Sequence, residues 1–316
     1  MSIDSINFIE KVGSGLFRAL RALCSLLPRR ACLAAGGFLG TVFFLADSRH
    51  RKLALSNLEI AFGRERSPAE RRRIARSSFR HFGRMMADDL KWTHLGSAGR
   101  LALLRVEGAE HIRRALDSGR GALLFSAHLG NWEVASAAVS RLGRLNVVAR
   151  PLDNRLVEAE MARFRGDLGA RVISKFQAAK PVLQALRRNE MVAILIDQNV
   201  LRSQGVFVDF FGLPASTTPA PAAFHLRSGS PLHPVFCYPN PDLTYRIKIG
   251  PPLEAVPSGE WSRDVLQITA LCTKMIEAEI RANPGQWFWF HNRWKTRPEG
   301  ESAPPGADAR GENQRP

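Results

Sequence analysis

The chain has 316 residues, enough for one large domain or two small ones with a real core. Its 45% hydrophobic and 23% charged residues exclude a disordered, collagen-like or uniformly coiled-coil chain. Lys and Arg number 45 against 29 Asp and Glu, a net charge of +16, which calls for an anionic partner: nucleic acid, anionic lipid, a phosphorylated substrate or an acidic protein. The four cysteines, Cys24, Cys32, Cys237 and Cys272, form no CxxC pair and no zinc-ligand spacing, so neither a disulfide nor a structural zinc is expected.

At the N-terminus, Ile9, Val12, Leu16, Leu20, Leu23 and Leu27 recur every three or four residues and line one face of a helix suited to a membrane surface. Residues 31–46 follow, sixteen positions without a charge, containing Gly36 and Gly40 four apart and closed by Arg49, His50, Arg51 and Lys52. A bilayer crossing needs about 20 apolar residues, so this length predicts a short, re-entrant or interfacial anchor; a buried soluble helix reads the same way. Basic residues on both flanks favour entry and exit on one side, the cytoplasmic face, where each Lys or Arg near anionic lipid adds about 1 kcal/mol.

Ser67, Pro68 and Glu70 spell a capping box with Pro at the first helical position, predicting a helix to about Lys91. Its arginines, Arg71 to Arg84, read either as a solvated face or as a surface for an acidic or phosphorylated partner.

From about Val106 short apolar runs alternate with helical stretches. Strands are predicted at 122–127, 146–150, 171–174, 191–197, 232–238 and 245–249, with helices at 132–142, 154–168, 181–188 and 262–282. This alternation is an α/β pattern: a central mixed sheet flanked by helices, behind an N-terminal helical membrane anchor. The tail 299–316, rich in Pro, Gly and charge, is expected to be disordered.

Chemistry concentrates after the strand at 122–127, in Ser126-Ala127-His128-Leu129-Gly130-Asn131-Trp132-Glu133. His128 leaves the strand tip, Gly130 permits a tight turn, Asn131 caps the next helix and Glu133 occupies its first turn. If the two side chains meet, the carboxylate orients the imidazole to deprotonate a hydroxyl, a gain of about 10² to 10⁴ in rate. Glutamate in a first helical turn is also favoured by the helix dipole alone, and a histidine here can be purely structural. His225, His233 and His291 lack metal-ligand spacing, so no metal is expected.

His128 to Glu133, Asp197-Gln198 at a strand end, Phe210-Phe211-Gly212 with Thr217-Thr218, and the closing Trp294-Lys295-Thr296-Arg297-Pro298 together resemble the lipid A biosynthesis acyltransferases, the late or lauroyl/myristoyl acyltransferases, over roughly residues 5–300. The resemblance implies an enzyme on the cytoplasmic face of the inner membrane that moves a fatty acyl chain from acyl carrier protein to a hydroxyl of a phosphorylated glycolipid, a lipid A precursor, without a cofactor. It implies membrane-anchoring helices over 1–60 and an acyltransferase domain over 61–298. The family pair His-x4-Asp/Glu carries over to His128 and Glu133, a family arginine ahead of a glycine to Arg165 before Gly169, and a strand-end aspartate to Asp197. Arg150 and Arg163 stand close enough to Arg165 to share its role, and Asn131 and Gln198 join the substrate contacts.

The residues agree with that chemistry. A thioester is already activated, so the reaction needs a base and positive charge for the oxyanion but no covalent nucleophile, and no G-x-S-x-G elbow is present. Arg165 is read as oxyanion or phosphate holder or as a surface arginine, and Asp197 as its orienting partner or a turn residue. Phe210 and Phe211 line an acyl groove or the core, and Thr217 and Thr218 hold a phosphate or cap a helix. Two other enzyme or binding readings stay open: an acyl-CoA-dependent acyltransferase on another glycolipid or lysophospholipid, and a non-catalytic basic membrane scaffold. Nucleic acid is set aside because no helix-turn-helix, zinc-finger, RRM or KH signature accompanies the charge.

Overall fold

The structure, a computed structural model, describes residues 8–151 and 154–302. The chain begins with helices α1 (Phe8–Leu26), α2 (Arg29–Ala46), α3 (Ser48–Phe62), α4 (Pro68–Trp92) and α5 (Ser97–Ala102). It then alternates: β1 (Leu104–Glu107), α6 (Ala109–Asp117), β2 (Ala122–Ser126), α7 (Trp132–Val139), β3 (Leu145–Ala149), α8 (Arg155–Asp167), β4 (Ala170–Ser174), α9 (Ala179–Arg187) and β5 (Met191–Leu195). A hairpin of β6 (Val206–Phe210) and β7 (Leu213–Thr217), then α10 (Ala220–Ser228), β8 (Leu232–Pro239), β9 (Tyr245–Ile249) and α11 (Trp261–Ala282), complete it.

Seven strands form one sheet in the order β1-β9-β8-β2-β5-β3-β4, parallel throughout except β8 against β9. The mixed α/β sheet expected from sequence is thus present, and its central strands β2 and β5 are the most apolar because helices cover both faces. β2 and β5 run side by side with Ser126 opposite Leu195, so the residues leaving their C-terminal ends, 127–128 and 196–197, are also neighbours. That register positions the chemistry described below.

The capping box at Ser67 forms: its Oγ accepts from the Glu70 N–H and the Glu70 carboxylate accepts from the Ser67 N–H at 2.8 Å. Helix α4 is the bracket between the N-terminal helices and the sheet domain. On it, Gly36 and Gly40 of α2 lie against Gly83 and Phe79: a Cβ on Gly36 would stand 2.3 Å from the Gly83 carbonyl oxygen, one on Gly40 2.2 Å from that of Phe79. The small residues let the backbones touch. Helix α2 is long and apolar enough to cross a bilayer, yet this face is buried on α4 while Phe38, Leu39, Phe43 and Leu45 are exposed. The leucines of the amphipathic α1 behave alike: Leu16, Leu20, Leu23 and Leu26 are exposed. Both helices therefore leave apolar side chains exposed, as expected of a segment that meets a lipid surface.

Elements unmarked in the sequence also appear. β6 and β7 close through Phe211 and Gly212, both at positive φ (56° and 80°), a two-residue hairpin in which Phe takes the place usually given to Asn or Gly. Packing holds it there: the Phe211 ring lies against Phe62, Phe210 and Trp289, and its N–H donates to Glu277 Oε2 at 2.7 Å. All four cysteines are buried free thiols. Of the tail expected to be disordered, residues 303–316 lie outside the described residues.

Gly36→Leu is expected to force α2 off α4 and cost about 1–3 kcal/mol, the usual price of overpacking, read as a lower thermal midpoint of the purified chain. An unchanged midpoint would contradict the close helix contact.

Candidate active site

His128 emerges from the end of β2 and Asp197 from the end of β5, and the two meet. The Asp197 carboxylate accepts from the His128 backbone N–H through Oδ2 at 2.9 Å and faces His128 Nδ1 through Oδ1 at 2.9 Å. The indole N–H of Trp287 donates to Oδ2 at 2.7 Å, so three donors fix the carboxylate. Burial pushes the Asp197 carboxyl up, but the charge and ring hydrogen bond of His128, with the Trp287 and His128 N–H groups, outweigh it and hold the group below the ordinary carboxylate range. An ionised Asp197 keeps the proton on Nδ1 and leaves the Nε2 lone pair free as a base. Nε2 is 3.4 Å from the Gln198 amide nitrogen, and the His128 side chain is 21% exposed, open enough for a substrate.

The loop that carries His128 is clamped on both sides. Gly130 N–H donates to the Gln286 carbonyl and Asn131 N–H to that of Cys237, each at 3.0 Å. At Gly130, φ is 65° and a Cβ would fall 1.8 Å from the Cys237 carbonyl oxygen, so only glycine fits. Residues 287–290 alternate: Trp287 and Trp289 point into the core, while Phe288 and Phe290 are half-buried with tilted rings 4.0 Å apart, Phe288 6.1 Å and Trp132 4.8 Å from the imidazole of His128.

The expected His128–Glu133 pair is not formed. The Glu133 carboxylate instead takes Arg165 as partner, with Nη2 at 2.7 Å and Nε at 3.1 and 3.2 Å, and Asp197 serves His128 rather than Arg165. The reason is direction: the first turn of α7 carries Glu133 toward α8, where Arg165 sits in the last turn, while the parallel register brings Asp197 alongside His128. Burial alone would lower the Arg165 pKa, but its hydrogen bonds and proximity to Glu133 raise it above the ordinary value. Nη1 of Arg165 has no partner among the described residues.

Other predicted contacts scatter. Asn131 caps α7 as expected, accepting from Val134 N–H at 2.9 Å, but it is buried and donates to Asp89, so it is not a substrate contact. Arg163 faces solvent, 3.5 Å from Glu160, and Arg150 is exposed just beyond β3. Phe210 and Phe211 are core, not groove: Phe210 packs on Trp287 and Trp294. Thr217 is buried with its hydroxyl accepting from Arg293, and Thr218 accepts from the Ala220 N–H at 3.4 Å ahead of α10, the helix-capping arrangement that the sequence also allows. Among the described residues no three His, Cys, Asp or Glu side chains converge on a metal position.

A buried polar cluster escaped the sequence reading. Asp88 takes Arg29 of α2 in a two-pronged pair (2.7 and 2.6 Å) and the Tyr245 hydroxyl at 2.6 Å, and adjacent Asp89 accepts from Asn131 at 2.8 Å. Burial and the facing Glu133 push the Asp89 carboxyl well above the ordinary carboxylate range. The doublet Asp88-Asp89 in an otherwise arginine-rich helix was the available signal.

Two further imidazoles frame the site. His81 faces the Gly130 carbonyl at 3.0 Å, and His291 Nε2 accepts from the Asn199 N–H at 3.0 Å; burial lowers each to about 4. Both stay neutral in the fold while the unfolded chain takes up protons below about pH 6.5. The unfolded state then binds more protons, so stability should fall as pH drops from about 6.5 to about 4. Urea midpoints across this window measure it, and His81→Gln with His291→Gln should flatten the slope; a wild-type midpoint independent of pH there would contradict the neutral imidazoles.

Comparison with known proteins bears on this arrangement. The family described as bacterial lipid A biosynthesis acyltransferase matches residues 9–296. The chain is 29% identical over 258 residues to the lipid A biosynthesis palmitoleoyltransferase of Escherichia coli K12, covering 81% of this chain and 82% of the relative. It is 29% identical over 278 residues to the lauroyltransferase of the same organism, covering 87% and 88%. A phosphatidylinositol mannoside acyltransferase of Mycolicibacterium smegmatis is 30% identical over 196 residues, 60% of this chain and 62% of the relative.

Proposed function

Because the chain belongs to the bacterial lipid A biosynthesis acyltransferase family, and is thereby an acyltransferase acting on a glycolipid, we propose that it moves a fatty acyl chain from an acyl thioester to a hydroxyl of a lipid A precursor, with His128 as general base. The observation that carries this reading is the His128–Asp197 pair, which leaves an oriented Nε2 lone pair at a partly open sheet edge. Nε2 takes the proton of the acceptor hydroxyl as its oxygen attacks the thioester carbonyl. The carbon–oxygen bond forms, the carbon–sulfur bond breaks, and the imidazolium returns the proton to the leaving thiolate. Asp197 supports the transient imidazolium without being protonated itself.

Gln198 and Arg165 supply the positive edge. The Gln198 amide nitrogen, close to Nε2, is placed to donate to the developing oxyanion, and Arg165 retains Nη1 for a substrate oxygen while Glu133 fixes its other nitrogens. Glu133 is therefore a positioning residue for Arg165 in this scheme, not the partner of the base.

The donor we propose is acyl carrier protein, an acidic partner suited to a chain of charge +16. The setting is the cytoplasmic face of the inner membrane: the exposed apolar faces of α1 and α2 enter the leaflet from one side, and neighbouring arginines meet anionic headgroups.

Mass spectrometry of lipids extracted from cells with and without the chain tests the activity, since one added acyl mass identifies donor chain and acceptor together. His128→Ala should abolish the added mass, and Asp197→Asn should lower turnover by about 10² to 10⁴ while leaving membrane attachment intact. Turnover of Asp197→Asn close to that of the unmodified chain would defeat the assignment of the base.

A further inference from the structure

A pocket between α2, α4 and the catalytic loop is lined by Arg29, Leu33, His81, Arg84, Asn131 and Tyr245, among others. Its two guanidinium groups differ. Arg29 is saturated, with Nε and Nη2 on Asp88 and Nη1 on the Leu243 carbonyl. Arg84 is half-buried and, among the described residues, has no hydrogen-bond or acidic partner, so the pocket keeps one uncompensated positive charge. An unpaired guanidinium withdrawn from water is costly and becomes favourable when an anion completes it.

The sequence of α2 makes room for this side chain. A Cβ on Gly37 would stand 3.0 Å from Arg84 Cγ and 3.3 Å from Arg80 Cγ, so the stems of both arginines lie over a bare backbone. Later in the same turn of α2, Phe38 and Leu39 are exposed at 68% and 58%, so the helix that carries Gly37 also offers hydrocarbon-binding surface. The Gly130 carbonyl, held by His81, forms part of the surroundings and ties the pocket to the loop carrying His128.

We propose that Arg84, assisted by Arg80, binds a phosphate group of the lipid acceptor, holding it at the junction of the anchor helix and the catalytic loop. A phosphate matches the fork of a guanidinium through paired charge-assisted hydrogen bonds, and a phosphorylated lipid brings both the anion and the hydrocarbon that the two neighbouring surfaces call for. This rests on the glycolipid-acceptor reading above but makes a separate demand: binding without turnover.

The test is flotation of the full-length chain with vesicles of phosphatidylcholine alone or with added phosphatidic acid, whose headgroup is a phosphomonoester. Arg80→Gln with Arg84→Gln should weaken binding to the phosphatidic acid vesicles by about tenfold, the share of one charge-assisted hydrogen bond, and leave binding to phosphatidylcholine unchanged. Arg113→Gln with Arg187→Gln removes the same formal charge from exposed helices elsewhere and should change neither. Arg84→Lys, which keeps stem and charge but loses the fork, should lose part of the preference, and guards against a folding defect in the double variant.

Equal weakening by both double variants, or none by either, overturns the site. Loss of retention on immobilised acyl carrier protein with vesicle binding kept would assign the pocket to the donor and overturn it as well. Failure here leaves the acyltransferase reading standing, whereas absent acyl transfer with intact phosphatidic acid preference would strike that reading alone.

Discussion

A carboxylate buried between two strand ends needs a reason to stay ionised, and Asp197 finds it in His128. Three donors converge on its two oxygens: the His128 ring, the His128 backbone N–H and the Trp287 indole. Two come from the loop after β2 and one from the aromatic segment after α11, so the carboxylate at the end of β5 is also where these three segments are locked together. Loosening any of the three would free the imidazole to turn and lose its tautomer.

The remainder of the fold serves that convergence. Parallel pairing with Ser126 opposite Leu195 sets the two strand ends abreast, Gly130 lets the loop pass against β8, and the alternation of Trp287 to Phe290 buries two indoles while leaving the Phe288 ring beside the imidazole. Farther out, Arg29 of α2 reaches Asp88, Tyr245 shares that carboxylate, and Asn131 binds the adjacent Asp89. The apolar helices at the N-terminus are thus joined by buried polar contacts to the loop that carries His128.

Much of this was legible in the residues. Local signals with a short reach read true: the Ser67 capping box, the Asn131 cap, the Gly130 turn, and six of the sheet strands within a residue or two. The strand at Leu104–Glu107 and the hairpin were missed, the first because its exposed, mixed pattern carries no apolar run, the second because a tertiary cage holds Phe211 at positive φ where sequence leads one to expect Asn or Gly. At the site His128, Glu133, Arg165 and Asp197 do meet in pairs, but not in the pairs expected from the sequence. Five positions of spacing cannot tell whether Glu133 turns back to His128 or outward to Arg165; strand register decides it, and register is not written in either segment alone. Phe210 and Thr217 were misplaced for a related reason: aromatic and hydroxyl residues near a turn look like ligand contacts until the fold closes over them.

The proposed base is open to direct observation. In protein labelled with ¹⁵N at histidine, with the His128 signals assigned by comparison with His128→Gln, Nδ1 should carry the proton in the neutral ring and Nε2 should show the shift of an unprotonated nitrogen. The ring N–H signal should move or vanish in Asp197→Asn. A neutral His128 protonated at Nε2, or a spectrum indifferent to the loss of the Asp197 charge, would contradict the central claim that Asp197 orients His128 as the base.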